Sequence, residues 1–276
     1  MSRQEVRTLR VITEEITSAS GAAPVLGGLP TTKIYVGVDG SDTTGNGSQL
    51  TPFASLTKAF TFVTTTRKVV VIGSGEYDET AAVVWPAVNG VEVICLDGTA
   101  TISSAASVTH VIGIDPAAAT ATWSATLSDI AISHADAQVG LQVNNTSVGK
   151  RINLYLKNFG SNADTTTDAS IDINRSGAAG DAIRVYADGT GQVIEGLVTV
   201  ITESTDDRFR FKGYRLVGGL TVVGAVACEL TVINCGVPQS LWTVDGANKL
   251  TNIGCWYETD ANPNVYTNFA NAFATY

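Results

Sequence analysis

Leu230, Thr231, Ile233 and Cys235 recur as Leu250, Thr251, Ile253 and Cys255, each displaced by 20 positions. An offset held residue for residue has no cause in a hairpin. A wound chain needs it, because each level covers the core of its neighbour and like side chains sit on like. Upstream, short β-branched runs such as VVVIG (69–73), VEVICLDG (91–98), INLYLKNFG (152–160) and RFRFKGYRLVGG (208–219) are separated by Gly, Asn, Asp and Pro. No long helical pattern intervenes, which argues against the alternating strands and helices of a doubly wound sheet. Successive runs begin at 69, 91, 110, 127, 152 and 169, the scatter expected of equal levels joined by unequal loops. Asp-Gly and Asn-Gly pairs at 39–40, 89–90, 97–98, 188–189 and 245–246 keep a hairpin-built sandwich or barrel open as an alternative.

Hydrophobic residues make up 44% of the 276 and charged ones 16%, which excludes a disordered chain and fills a sizeable core. The net charge of -9, with 17 basic residues among 26 acidic ones, gives no field for phosphates, so nucleic acid is not an expected partner. No run of roughly 18 apolar residues is present to span a membrane. Glu14 and Glu15 interrupt what a secretory leader would need to be apolar, so the chain reads as made in the cytoplasm. Cys95, Cys228, Cys235 and Cys255 are too few and too spread for a disulfide scaffold or a zinc cluster; packing is their expected role, and no cofactor is implied.

The segment from Tyr35 to Phe60 joins a β-type run (Lys33, Ile34, Tyr35, Val36) to a loop holding Gly40, Asp42, Gly45, Asn46 and Gly47, then to Pro52 and Phe53. Such a loop folds as consecutive turns. Ser55 is a helix N-cap candidate, and Leu56, Ala59, Phe60 and Val63 fall on one helical face. Over these residues the chain resembles the entrance to right-handed parallel β-helix domains of the pectate-lyase-like superfamily, in which the helix plugs the open end. The resemblance implies an all-β fold, a single-stranded right-handed parallel β-helix (solenoid) with a short N-terminal capping helix. The domain reading is an N-terminal arm and linker at 1–30, strand, loop and helix at 31–68, the β-helix at 69–260, and a C-terminal cap or arm at 261–276.

In the arm, Val6, Leu9, Ile12 and Ile16 fit one face of a helix, and Leu9 to Ile12 equally fits a strand. The arm reads either as a frayed end or, with Arg3, Val6, Arg7, Leu9, Arg10 and Ile12 as contacts, as a segment that docks on a partner. Past Asp260 the strand rhythm stops, and a polar, aromatic tail either caps the last level or packs on a neighbouring subunit.

β-Helices of this superfamily are often polysaccharide lyases or hydrolases. Hydrolysis needs two carboxyls facing one groove. Asp206, Asp207 and Arg208, with Lys212 behind them, resemble the polygalacturonase pattern of paired aspartates followed by basic residues, although that pattern also has a His between glycines, which this chain lacks. A polar turn explains the same residues. Lyase chemistry needs a base and a neutraliser of the uronate carboxylate, types offered by Asp164, Asp168, Asp172, Asp181, Arg175 and Arg184. His110 and His134 stand 24 positions apart, near one level, and Trp85, Trp123, Trp242 and Trp256 are weighed as a sugar platform against scattered packing.

Acidic, poor in His and with arms at both ends, the chain resembles phage and virus structural proteins that use this scaffold. The expectation is a non-enzymatic virion protein made in the host cytoplasm, a capsid decoration or spike subunit. Its expected partners are itself, as a homotrimer that buries outer apolar faces near Phe209, Phe211 and Tyr214, and the major capsid or another virion protein. A tailspike-like glycan lyase, hydrolase or glycan-binding domain, with a surface glycan as partner, is the competing expectation.

Overall fold

The computed structural model describes residues 32–116, 122–144, 151–174, 182–224, 226, 228–238, 241–244, 249–258 and 266–268. They belong to one compact unit, Thr32–Tyr276. The fold is all-β. Among the described residues one helix, Leu56–Phe60, accompanies 23 strands, and every pairing between strands is parallel except that of Trp256–Glu258 with Tyr266–Asn268.

The strands form three stacks. The first contains Lys33–Val36, Val69–Ile72, Val91–Cys95, Trp123–Ser128 and Arg151–Lys157, and ends on Glu229–Ile233 and Lys249–Ile253. The second contains Gly75–Glu79, Ala100–Ser104, Ile130–His134 and Gly160–Ala163, and ends on Gly236–Pro238 and Trp256–Glu258. Two longer strands, Ala182–Ile194 and Arg208–Leu216, turn the corner between these stacks and pair in both, which joins them into a 16-stranded sheet. The third stack is a separate sheet of seven strands: Val83–Val84, His110–Ile114, Val139–Asn144, Ala169–Asn174, Leu197–Thr202, Leu220–Gly224 and Trp242–Val244.

Register follows from alternation. In RINLYLK, Ile152, Leu154 and Leu156 are buried, while Tyr155 and Lys157 face outward. Leu154 lies on Val185, Val185 on Phe209, Phe209 on Leu230, and Leu230 on Leu250. Thr231 pairs with Thr251 and Ile233 with Ile253, so the 20-residue offset is the pairing register itself. The inward rows of all three stacks merge into one core cluster. Each fully buried aliphatic or aromatic side chain there contributes about 1.5–3 kcal/mol. A slip by one residue would expose the whole inward set, which is why the register is held.

The corner between the first two stacks has its own chemistry. Asp129, Asn158 and Asn234 adopt φ of 59°, 48° and 50°, and Gly213 and Gly254 take 73° and 65°. This left-handed region is reached at least cost by Gly, Asn and Asp. The next residue then points inward and is buried, as Ile130, Phe159, Tyr214, Cys235 and Cys255 are. Phe209, Phe211 and Tyr214, expected on an outer face, are core residues at 2%, 0% and 1% exposure. Read in isolation, RFRFKGY does not say which of its alternating sides is inward; the neighbouring levels decide it.

The turn-rich loop closes one end. It lies along the edge strand Lys33–Val36: Tyr35 N donates to Gly47 O, Phe53 N to Tyr35 O, and Gly37 N to Phe53 O. Backbone groups that an edge would leave bare are thereby paired. The Asp42 carboxylate accepts from Ala54 N (2.8 Å), Ser55 N (3.1 Å) and Ser55 Oγ (2.5 Å). Ser55 caps the helix by accepting from Lys58 N, and the buried Glu79 carboxylate accepts from Leu56 N and Thr57 N. Leu56, Ala59 and Phe60 are buried against the core, with Val63 packed at its margin. Toward the other end, the tail read as lacking strand rhythm supplies Tyr266–Asn268, the one antiparallel strand among the described residues.

Asp42→Ala removes the acceptor for three donors at once. The expected loss is about 2 kcal/mol in chemical denaturation, against no measurable change for Asp39→Ala at an exposed position.

Candidate functional site

Two outward ladders of the first stack line a groove. In one, Tyr155 lies on Tyr186 and Tyr186 on Arg210; in the other, Lys157 lies on Asp188 and Asp188 on Lys212. The ladders are two residues apart along each strand, with inward Ala187 between Tyr186 and Asp188. They border an open groove of about 450 Å³, extended at the corner by Asn158 and Thr190. That volume falls within the ~300–1,000 Å³ of small-molecule sites. The tyrosine rings stack with centroids 5.3 Å apart and planes at 13°.

The groove is locally basic on an acidic chain, with three cationic side chains against the single carboxylate of Asp188 among its lining residues. Lys212 Nζ is 2.8 Å from Asp188 Oδ2, and Lys157 Nζ is 3.9 Å from Glu92 Oε1. Both pairs are solvent-exposed and contribute at most about 1 kcal/mol each. Asn158 donates through Nδ2 to Asp129 Oδ1 at 3.0 Å, which fixes the corner of the groove. Aromatic rings beside two or three cations suit a ligand with an apolar face and a negative group. With one carboxylate already bound by Lys212, the lining offers no acid and base pair for glycosidic hydrolysis.

The residues singled out for catalysis do not converge. Asp207 is 1% exposed. Its Oδ1 accepts from Ile183 N at 2.8 Å and its Oδ2 from Glu203 N and Ser204 N at 3.2 and 3.0 Å, so it staples a turn to the level below. Asp206 is exposed on that turn. Arg208 sits in an outward ladder between Arg184 and Glu229 and pairs with the Glu229 carboxylate at 3.4 Å. Of that group Lys212 alone lines the groove.

The lyase set is dispersed as well. Asp164 and Asp168 lie between the second and third stacks, where the Asp168 carboxylate accepts from Thr165 Oγ1 at 2.7 Å. Asp172 stands in the third stack, facing outward between Gln142 and Thr199. Partial burial raises its pKa, opposed by a hydrogen bond from Gln142. Arg184 belongs to the first stack, and Asp181 and Arg175 lie outside the described residues. So do the proposed contacts of the arm, Arg3, Val6, Arg7, Leu9, Arg10 and Ile12.

His134 is buried, with Nε2 3.0 Å from Ser170 Oγ; that hydroxyl also receives Ser161 Oγ at 2.7 Å and Gly196 N at 2.9 Å. This node is interior and offers a substrate no access. His110 bonds its sequence neighbour Thr109. Trp85 and Trp123 are core residues, 3% and 2% exposed, and form no sugar platform; the side chains of Trp242 and Trp256 lie outside the description. Among the described residues no group of three or more His, Cys, Asp or Glu is placed to hold a metal, and no helix is long and apolar enough to cross a membrane.

Tyr155, Tyr186, Asp188 and Arg210 were not legible as a site. Tyr155 and Tyr186 are partners across 31 positions, well beyond the 20 of the clearest repeat. Alternation marks each as outward, yet nothing local says that they meet. Comparisons with family models, with curated proteins and with solved structures return no match.

Two outcomes follow from these placements. Asp207→Ala should lose about 3 kcal/mol of stability by stranding three backbone donors, while Asp206→Ala stays within about 0.5 kcal/mol; equal effects would mean that Asp207 is no staple. Burial holds the His134 pKa below its ordinary 6.5. Below pH 6.5 the unfolded chain therefore binds more protons, so this contribution is complete above pH 6.5 and is lost as pH falls through the folded value. His134→Gln should flatten the stability profile over that acidic window, measured by denaturation at stepped pH.

Proposed function

We propose that the unit from Thr32 onward is a single-stranded right-handed parallel β-helix of the pectate-lyase-like kind, plugged by the Leu56–Phe60 helix. In this reading the protein is a non-enzymatic structural component of a virus or phage particle, a capsid decoration or spike subunit acting as a homotrimer. The observation that carries the reading is the in-register stacking of Glu229–Ile233 on Lys249–Ile253, repeated level after level in parallel. Parallel pairing in register makes a stiff scaffold, since each level's backbone is bonded to the next. The engagement of Asp207 by backbone amides supports a structural role for the segment otherwise most like a hydrolase site. Symmetric self-association fits a subunit with arms at both ends. The major capsid protein or another virion protein is the proposed anchor for residues 1–30, with assembly after synthesis in a host cytoplasm.

A second reading has its own observation. The Tyr155 and Tyr186 platform beside Arg210, Lys157 and Lys212 favours binding of a surface glycan without cleavage.

Light scattering of the purified protein should give three times the 28.7 kDa chain mass; a monomer removes the trimer. Deleting residues 1–30 should abolish particle binding, and full-strength binding would overturn the anchoring role. On a panel of bacterial surface glycans, binding without release of reducing ends, weakened about tenfold by Tyr186→Ala or Arg210→Ala (~1.4 kcal/mol), would favour the glycan reading.

A further inference from the structure

Cys235 and Cys255 occupy the same corner position at successive levels, each following a left-handed residue, Asn234 or Gly254. The level before them carries Tyr214 there. Ile233 pairs with Ile253 on one side and Gly236 with Trp256 on the other, so the two cysteines are held in register. Parallel strands lie about 4.7–4.9 Å apart, within the ~4.4–6.8 Å between Cα atoms that a disulfide spans. The Cys255 sulfur accepts a hydrogen bond from Cys235 N at 3.4 Å, which sets it beside the backbone that carries the other thiol. Cys235 Sγ turns to Ile233 O at 3.3 Å. No disulfide joins Cys95, Cys228, Cys235 or Cys255. Cys95 belongs to an early level, and the whole strand Glu229–Ile233 separates Cys228 from Cys235.

We propose that Cys235 and Cys255 form a modification site, a thiol pair that closes to a disulfide between levels when the protein meets a low-molecular-weight disulfide. The Cys255 thiol loses its proton to solvent, and its sulfur attacks one sulfur of the reagent. The reagent's S–S bond breaks, and half of it leaves as a thiolate that takes up a proton. Cys235, deprotonated in turn, attacks the Cys255 sulfur of the mixed disulfide and expels the second half as a thiol. Two protein thiols are oxidised to one disulfide, and one small disulfide is reduced to two thiols.

Cys255 is the entry point. Its neighbours Ile253 and Gly254 are exposed, Ile253 at 54%, so a local opening of this strand presents the sulfur to solvent. The hydrogen bond from Cys235 lowers the pKa of the Cys255 thiol and favours the thiolate, while Cys235 is pushed up. Once formed, the bond staples two levels and limits their separation in the unfolded chain.

The test treats the folded full-length protein with oxidised glutathione, then denatures it without reductant in an alkylating agent and maps the peptides. A linked Cys235–Cys255 fragment with Cys95 and Cys228 alkylated is the expected result. Alkylation of Cys235 and Cys255 would overturn the proposal, as would a reaction that stops at glutathionylated Cys255 or a link that joins Cys228 or Cys95. In parallel, oxidation should raise the thermal midpoint by roughly 5 °C, reversed by dithiothreitol and absent in Cys235→Ser; an unchanged midpoint in the wild type would mean that no staple forms.

Discussion

Most of this fold depends on strand backbone groups that find their partners in the strands stacked before and after their own. Between the first pair, Lys33–Val36 on Val69–Ile72, and the antiparallel pair of the tail, a strand contributes half of a hydrogen-bond ladder that its immediate successor, in a different stack, cannot complete. The inward rows from Leu154 to Leu250 are aligned because the amides are aligned, and the burial of one row fixes the register of the next. Such an arrangement concentrates its weakness at its ends. The Asp42 loop and the Glu79 carboxylate close one end with side chains as acceptors, and a short antiparallel strand covers part of the edge toward the other.

Buried polar groups follow the same logic. Asp207, Ser170 and Glu79 are each placed where a turn or helix start would leave backbone N–H groups without partners. Each lies inside the unit with its oxygens engaged, which distinguishes such groups from Tyr186, Asp188 and Arg210, whose polar ends face the open groove. A pair of adjacent aspartates in the sequence thus divides into one structural residue and one ordinary surface residue. Three strand faces far apart in the chain build the surface with the character of a binding site.

The parallel stacking was legible where levels differ little in length, as in Leu230 to Cys235 against Leu250 to Cys255, and the Ser55 cap was legible from local rules alone. Phe209, Phe211 and Tyr214 were not placed correctly, because a run that alternates aromatic and charged residues has two faces and only its neighbours choose between them. The groove was hidden for a related reason. Tyr155 and Tyr186 meet through a spacing of 31 positions that the 20-residue repeat does not announce, and the ladder Lys157, Asp188, Lys212 mixes charges in a way that reads as plain solvent surface. Composition offers no help here, since the chain is acidic and the groove is not.

The left-handed corner restricts how such a chain can change. Where Asp129 alone, or Asn158 with Phe159, separates a strand of the first stack from one of the second, there is no slack. An added residue at that point would exchange the inner and outer sides of the strand that follows, because side chains alternate with a period of two. Length variation is therefore channelled to the other bends, and new surface loops can be grafted there while the first two faces keep their spacing.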